Sequence, residues 1–464
     1  MTTIATAPLD AAAAPQPDWD AVREETVGLL QALIRFNTSN PPGNEIHCAR
    51  YVAGVLEAAG IEARLLEPAP ERGAVVARLR GTGERGPVLL VAHMDVVGVE
   101  REQWTSEPFG GELREGYLYG RGAIDDKGML AANLQAMLLL KRHVLDRGGT
   151  LARDVVFVAT ADEEADGTYG MGWLLEHHPE LLRADFALNE GGRVRVVRGR
   201  PLYVAVQCAE KVPHLVTLTA HGPAGHAAVP LAGNALARLG RALAAVGQHR
   251  EPLALTPTVR EFFRELCDLW PDPDERAAMA ALVSDSAVRA RRGARAVARA
   301  PALDALLRNG VSPTLVAGGV RTNVIPTTAT ATLDVRTLPG ESVDAVAARL
   351  RRTIADPLVE VAVTERGEDA PASDFRSPMF ASIAAAAQAL NPGLAVVPYL
   401  STGATDSARL RRFGVQCFGL LPFPLEPEDE ARMHGNDERI PLESLHFGAR
   451  LVFDAAWRVA RPQP

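Results

Sequence analysis

The chain has 464 residues, 47% of them hydrophobic and 23% charged. That is an ordinary globular composition, sufficient for two or three domains, and it excludes a disordered or fibrous chain. A net charge of −8 without a basic tract argues against a nucleic-acid partner, and four scattered cysteines (Cys48, Cys208, Cys267, Cys417) with no CxxC suggest neither a disulfide framework nor a thiolate zinc site.

The cysteine usage makes reducing cytoplasm the expected compartment. Residues 1–18 have no basic n-region and no long apolar core, so they read as a disordered lead rather than a signal peptide. No stretch has the length and apolarity of a membrane span. Trp19–Phe36 carries apolar residues at helical spacing and is stopped by the cluster from Asn37 to Gly43. A second helix is expected from Glu45 to Ala59, and Ile61–Leu66 and Ala74–Leu79 read as strands. The segment from Gly81 to Gly86 is a literal GxGxxG. A dinucleotide fingerprint needs a helix after it, whereas here another strand follows, so the glycines are expected to make a hairpin turn.

That following strand is Val88–Ala92, an apolar run bounded by Gly86-Pro87 and expected to be buried on both faces. His93 and Asp95 stand at its C-terminal end. Asp125 lies in a loop just before a helix, Met129–His143. Asp154–Thr160 is another buried strand, followed directly by Asp162-Glu163-Glu164. After a helix, Gly170–His178, the short strand Ala184–Asn189 ends in Glu190-Gly191-Gly192.

From about Pro213 to Arg366 the pattern changes. His214–Ala220, Ser312–Ala317, Ala329–Val335 and Val359–Thr364 read as strands, and Asn234–Val246 and Ser342–Ile354 as helices. The order is βαββαβ, the split βαβ of ferredoxin-like units. Residues 251–310 read as a helical insertion in it. Thereafter Pro378–Leu390 is a helix and Ala395–Leu400 a strand. The polar loop Ser401–Asp406 opens a short helix, Val415–Leu420 is a last buried strand, and Leu442–Arg461 closes as a helix. The expected division is one catalytic domain in two parts, 19–212 and 367–464, interrupted by a unit at 213–366.

His93, Asp95, Asp125, Glu163, Glu164, Glu190 and His434 are polar residues gathered at or near ends of elements. Each has a bland reading taken singly: a satisfied core histidine, a helix-capping aspartate, a solvated acidic loop. Together they form a nitrogen–oxygen donor set that suits Zn²⁺, Co²⁺ or Mn²⁺. Adjacent glutamates at a strand end also allow one to be a ligand and the other a general base.

The sequence resembles the M20 family of di-zinc metallopeptidases and deacylases. The residues that carry the resemblance are HMD at 93–95, GRGAIDDKG at 120–128, DEE at 162–164, NEGG at 189–192, GHAAVP at 225–230, TNVIP at 322–326 and HGNDE at 434–438. The resemblance implies an α/β catalytic domain, with a central mixed sheet flanked by helices, and an inserted ferredoxin-like lid or dimerisation domain. It implies that Asp125 bridges two divalent cations, zinc first, with His93 and Glu190 completing one site and Glu164 and His434 the other. Asp95 would orient His93, and Glu163 would be the general base and acid. His226, in the GxxGH segment Gly222–His226, would support the oxyanion from a neighbouring subunit or after domain closure; its bland reading is a turn residue. Asn323 and Arg336 resemble positions that contact the oxyanion or the substrate carboxylate. Gly403 resembles the loop that receives that carboxylate at a helix N-terminus.

The implied reaction is hydrolysis of an amide beside an amino-acid carboxylate, in an N-acyl amino acid or short peptide. A homodimer through the inserted unit is implied, with no membrane or nucleic-acid partner. Two other readings stay open: a biosynthetic deacylase of the acetylornithine or succinyl-diaminopimelate type, strict for one charged substrate, and an inactive relative acting as a binding protein.

Overall fold

A computed structural model of the protein describes residues 15–165 and 167–462, so most of the expected lead, 1–18, lies outside the described residues. The chain divides into two compact units. One comprises the chain up to Cys208, Ala372–Tyr399 and the chain from Thr405; the other comprises Ala209–Pro371 with Leu400–Ala404.

The frame of the first unit is a mixed eight-stranded sheet. Its strands lie in the order Ala63–Ala69, Arg72–Leu79, Val155–Thr160, Val88–His93, Phe186–Val197, Gln416–Leu425, Arg200–Glu210 and Ala395–Ser401. Val88–His93 is interior and runs parallel to both of its neighbours, with Val88 opposite Val155 on one side and Phe186 on the other. Its faces divide the apolar run as expected. Val88, Leu90 and Ala92 join a core with Leu33, Leu134 and Val452, while Leu89 and Val91 join another with Met171, Leu174 and Leu410. Burying each such Val or Leu contributes about 1.5–3 kcal/mol, which fixes the depth of the strand and so where its polar end emerges. Because the interior strands are parallel, His93, Thr160 and Asn189 come out on one edge.

Two expectations are corrected. The glycine segment 81–86 does not make a hairpin, because Val155–Thr160 lies between Arg72–Leu79 and Val88–His93 and pairs with both. The segment is a crossover: the Gly81 N–H donates to Asp154 Oδ1 at 2.8 Å, and a Cβ on Gly81 would lie 2.5 Å from the Arg153 backbone. The strand expected at 184–189 runs on to Val197 and turns back as Arg200–Glu210. Arg198 (φ 54°) and Gly199 (φ 74°) are both left-handed, as a two-residue type I′ turn requires. The alternation of buried Val194 and Val196 with half-buried Arg193 and Arg195 carries the signal for this hairpin.

In the second unit, Gly310–Gly318, Thr328–Thr337, Val212–His221 and Val359–Arg366 form an antiparallel sheet in that order. Helices Ala235–Gln248 and Val343–Ile354 bury Leu239, Val246, Val346 and Leu350 in one core with Val216, Leu218 and Leu333. This is the ferredoxin-like arrangement that the order of elements predicts. The insertion is helical: Pro257–Leu266, Pro273–Leu282, Ala287–Val297 and Pro301–Asp304. Thr256 and Asp272 cap the first two of these helices, and proline at the first helical position costs no hydrogen bond there.

Candidate metal centre

Seven of the expected residues meet at the edge of the large sheet. His93 is the last residue of its strand, with Nε2 3.1 Å from Asp125 Oδ1 and 4.0 Å from Glu163 Oε2. The other oxygen of Asp125, Oδ2, is 3.1 Å from His434 Nε2, which is itself 3.2 Å from Glu164 Oε1. Asp125 therefore stands between two imidazoles and turns one oxygen to each. Donor atoms of His93, Glu163 and Glu190 lie within 4.8 Å of one another, and so do those of His93, Asp125 and Glu164. These groupings differ from the partition that the resemblance implies: Glu163 sits among the donors, and Glu164 approaches His93 as well as His434.

The donors fit a divalent cation. Zinc bonds of 2.0–2.2 Å in tetrahedral geometry hold neighbouring donors about 3.3 Å apart, close to the separations across Asp125. Glu164 Oε1 is buried, with His434 Nε2 beside it at 3.2 Å. Burial and the charge on Asp125 push the Glu190 carboxyl up to about 8, and burial with neighbouring Glu190 pushes Glu163 well above the carboxylate range. Burial opposes charge on Asp125 too, but His434 and His93 outweigh it and hold its pKa down. Hydrogen bonds to Asp125 and Glu164 raise His434 to about 10. Carboxyls outnumber imidazoles here, so without a further positive charge they cannot all ionise.

Asp95 does more than the expected orientation of His93. His93 Nδ1 is nearer to the carbonyl oxygen of Asp95, at 2.9 Å, than to its carboxylate, at 3.4 Å. The carboxylate instead accepts the backbone N–H groups of Glu163 and Glu164 and the side-chain amide of Asn40. Asn40 also donates to Asp162, whose carboxylate meets Arg72 at 2.8 Å; Arg72 in turn pairs with buried Glu45. Asp162 is left-handed (φ 67°), so this network holds the turn that presents the two glutamates. Asn40, Glu45, Arg72 and Asp162 have no expected role in the sequence reading. Asn40 lies in a segment that reads only as a helix stop, and Arg72 at a strand start, neither of which signals a distant partner.

Beside Glu190, a Cβ on Gly192 would lie 2.1 Å from the carbonyl oxygen of Ala205 and 2.4 Å from that of Gly419. The second glycine of NEGG thus lets neighbouring strands close in on Glu190. Helix Asp406–Phe413 is tied to two strands: Thr160 Oγ1 donates to Asp406 at 3.4 Å, and Asn189 Nδ2 to Ser407 Oγ at 3.0 Å.

The remaining expected residues lie in the second unit. His226 and Asn323 come together: Gly225–His226 pairs with Val324–Ile325, and the Ala227 N–H donates to the carbonyl of Asn323 at 3.0 Å. His226 is exposed, and its Nδ1 accepts the Ala228 N–H at 3.1 Å. Arg336 is engaged with Asp334 through two bonds of 2.8 and 3.0 Å. The Gly403 N–H donates to Ser401 Oγ at 3.2 Å.

A family model for peptidase family M20/M25/M40 matches residues 89–458. The chain belongs to that family. It is 30% identical over 367 residues to an N-fatty-acyl-amino acid synthase/hydrolase, PM20D1, of Xenopus tropicalis, covering 78% of this chain and 70% of that one. It is 26% identical over 423 residues to aminoacylase-1 of Mus musculus, covering 89% and 90%. Among solved structures it resembles the M20 family metallo-carboxypeptidase Sso-CP2 from Sulfolobus solfataricus, with a TM-score of 0.70 at 18% identity, over 94% of this chain and 99% of that one. As a member of the M20 family the protein is a hydrolytic enzyme.

Proposed function

We propose that this M20 enzyme is a two-metal amidohydrolase that cleaves the amide of an N-acyl amino acid or short peptide beside its free carboxylate. The observation that carries the proposal is Asp125, whose two oxygens each lie 3.1 Å from a different imidazole, the disposition of a carboxylate shared by two cations. His93, Asp125 and Glu190 would hold one cation, and Asp125, Glu164 and His434 the other. Zinc is the first choice, with cobalt and manganese able to use the same donors. When bound, the pair would polarise the scissile carbonyl and bring the pKa of water toward neutrality.

Glu163 takes the proton of that water and returns it to the leaving amine. It lies within reach of the donors yet has none of Asp125's shared geometry, and its raised pKa suits proton exchange. His226 supports the oxyanion: because its Nδ1 accepts the Ala228 N–H, its proton sits on Nε2, free to donate. Asn323 holds the strand opposite His226, while Arg336 and the Gly403 loop would receive the substrate carboxylate. An apolar acyl group is favoured by the likeness to an enzyme named for N-fatty-acyl amino acids.

A homodimer is supported by the edge strand Gly310–Gly318, where Leu315 and Val316 are exposed, with Val320 just beyond. An open apolar edge is a template for a second copy. Cytoplasmic placement is supported by a cysteine usage that suggests no disulfide framework. No helix among the described residues is long and apolar enough to cross a membrane.

The test is metal analysis together with hydrolysis of a panel of N-acyl amino acids and dipeptides, with and without chelator. Two cations per chain and chelator-sensitive release of a free amino acid are expected. A chain that binds no zinc, cobalt or manganese on reconstitution overturns the proposal.

A further inference from the structure

Two residues of the HGNDE and GRGAIDDKG segments have no part in the mechanism above: Glu438 and Arg121. Both are among the most deeply buried side chains, at 0% and 2% exposure, although both are charged. They are joined by a 2.6 Å bond between Arg121 Nη1 and Glu438 Oε2.

The contacts of Glu438 are unusual for a carboxylate beside a metal centre. Oε2 also accepts the Gly122 N–H at 2.9 Å, and Oε1 accepts the N–H groups of Ile124 at 2.7 Å and Asp125 at 3.1 Å. The loop that ends in Asp125 is thus wrapped around one carboxylate from the far end of the chain. The backbone repeats the attachment, since the Gly120 N–H donates to the Glu438 carbonyl at 2.9 Å. Arg121 reaches onward and donates from Nη2 to the carbonyl of Gly435 at 2.8 Å, directly after His434. His434 itself is left-handed (φ 61°), a conformation that a histidine holds only when its surroundings fix it.

Both oxygens of Glu438 are therefore filled by donors that point away from any ligand role. What the pair can do is fix one loop on the other. Asp125 and His434 come from these two loops, and the 3.1 Å between Asp125 Oδ2 and His434 Nε2 is the width of the second site. His93 and Glu190 come from the sheet and need no such clamp.

We infer that Glu438 and Arg121 are positioning residues for the second cation: they lock the Asp125 loop to the His434 loop and set the gap that this cation fills. The inference rests on the two-metal reading. Glutamine in place of Glu438 would turn an NH₂ toward two of the N–H donors and leave Arg121 buried without its counter-charge.

The experiment is calorimetric titration of the chelator-stripped full chain with Zn²⁺, followed by metal analysis after dialysis. The wild type should hold two Zn²⁺. Glu438→Gln should bind the second about 30-fold more weakly and lose far less at the first, where only Asp125 comes from a clamped loop, retaining one after dialysis. Leu445→Ala, a core change in the closing helix, should lower Tm and leave both sites intact. If Glu438→Gln does not fold, Arg121→Lys answers the same question. It keeps the charge but drops the bond to Gly435, and it should weaken the second site about 10-fold. Two unchanged affinities in the folded variant, or equal loss at both sites, overturns the inference. A wild-type chain that holds fewer than two Zn²⁺ overturns the two-metal reading instead.

Discussion

The backbone N–H of Glu164 donates to Asp95 Oδ2 at 3.0 Å. With Glu163 bound to Oδ1 at 3.1 Å, one carboxylate fixes the main chain of both adjacent glutamates. Asp95→Asn keeps the size but offers a single acceptor oxygen, so an NH₂ must face an N–H or the Asn40 amide. We expect a loss of about 1–3 kcal/mol in stability and a fall in kcat of about 100-fold, with KM little changed. Denaturant unfolding and steady-state kinetics on the same preparation check this, and an unaltered kcat would remove Asp95 from the positioning of the glutamates.

Glu163→Gln separates chemistry from metal binding. Glutamine keeps a donor oxygen but cannot carry the proton, so kcat should fall about 10²–10⁴-fold while two cations remain by metal analysis. Full turnover in a metal-replete variant would assign the base elsewhere.

Metal binding should release protons. In the metal-free protein Glu190 is held at about 8 and His434 at about 10, so both carry protons at neutral pH. A cation requires its ligands deprotonated, and apparent affinity should therefore rise with pH to about 8 and, less steeply, on to about 10. Calorimetry in two buffers of different ionisation enthalpy measures the release directly. Equal enthalpies in both buffers would mean the ligands are already deprotonated.

Lys211, in the second unit, offers a pH test that reads stability alone. Its ammonium is buried and donates to the Arg308 carbonyl at 2.7 Å; burial lowers its pKa from 10.5 to about 8, Asp304 offsetting only part of this. Between pH 8 and 10.5 the unfolded chain therefore holds more protons than the folded one, and stability from this group rises with pH across that window. The full gain is about 3 kcal/mol. Lys211→Met should lack the rise, so the stability difference between variant and wild type should narrow from pH 8 to about pH 10 in denaturant unfolding. A constant difference would show an ordinary lysine.

His93, Asp125, Glu163, Glu164 and Glu190 were legible because each follows an apolar run or precedes a helix, and parallel buried strands deliver their C-terminal ends to one edge; His434, after a proline- and acid-rich stretch, was legible only through the resemblance. Their supports were not. Glu438 meets residues 313 to 317 positions away, and Arg72 meets Asp162 across 90, spacings that leave no periodic trace. The glycine segment 81–86 misled for a related reason: neighbours in sequence need not be neighbours in a sheet, and Val155–Thr160 takes the place between them. The hairpin through Arg198 and Gly199 was written in alternating valines and arginines, but the acidic strand end at Glu190 draws attention from what comes after it.

The discontinuity of the first unit sets an order of events during synthesis. His93, Asp125, Glu163, Glu164 and Glu190 leave the ribosome before the second unit is made, and His434 and Glu438 only after it. For the span of about 240 residues, at about 5–20 residues per second, the nascent chain carries a cluster of carboxyls with one imidazole and no clasp. Metal acquired in that interval would meet a half-built cradle, completed only when His434 and Glu438 arrive.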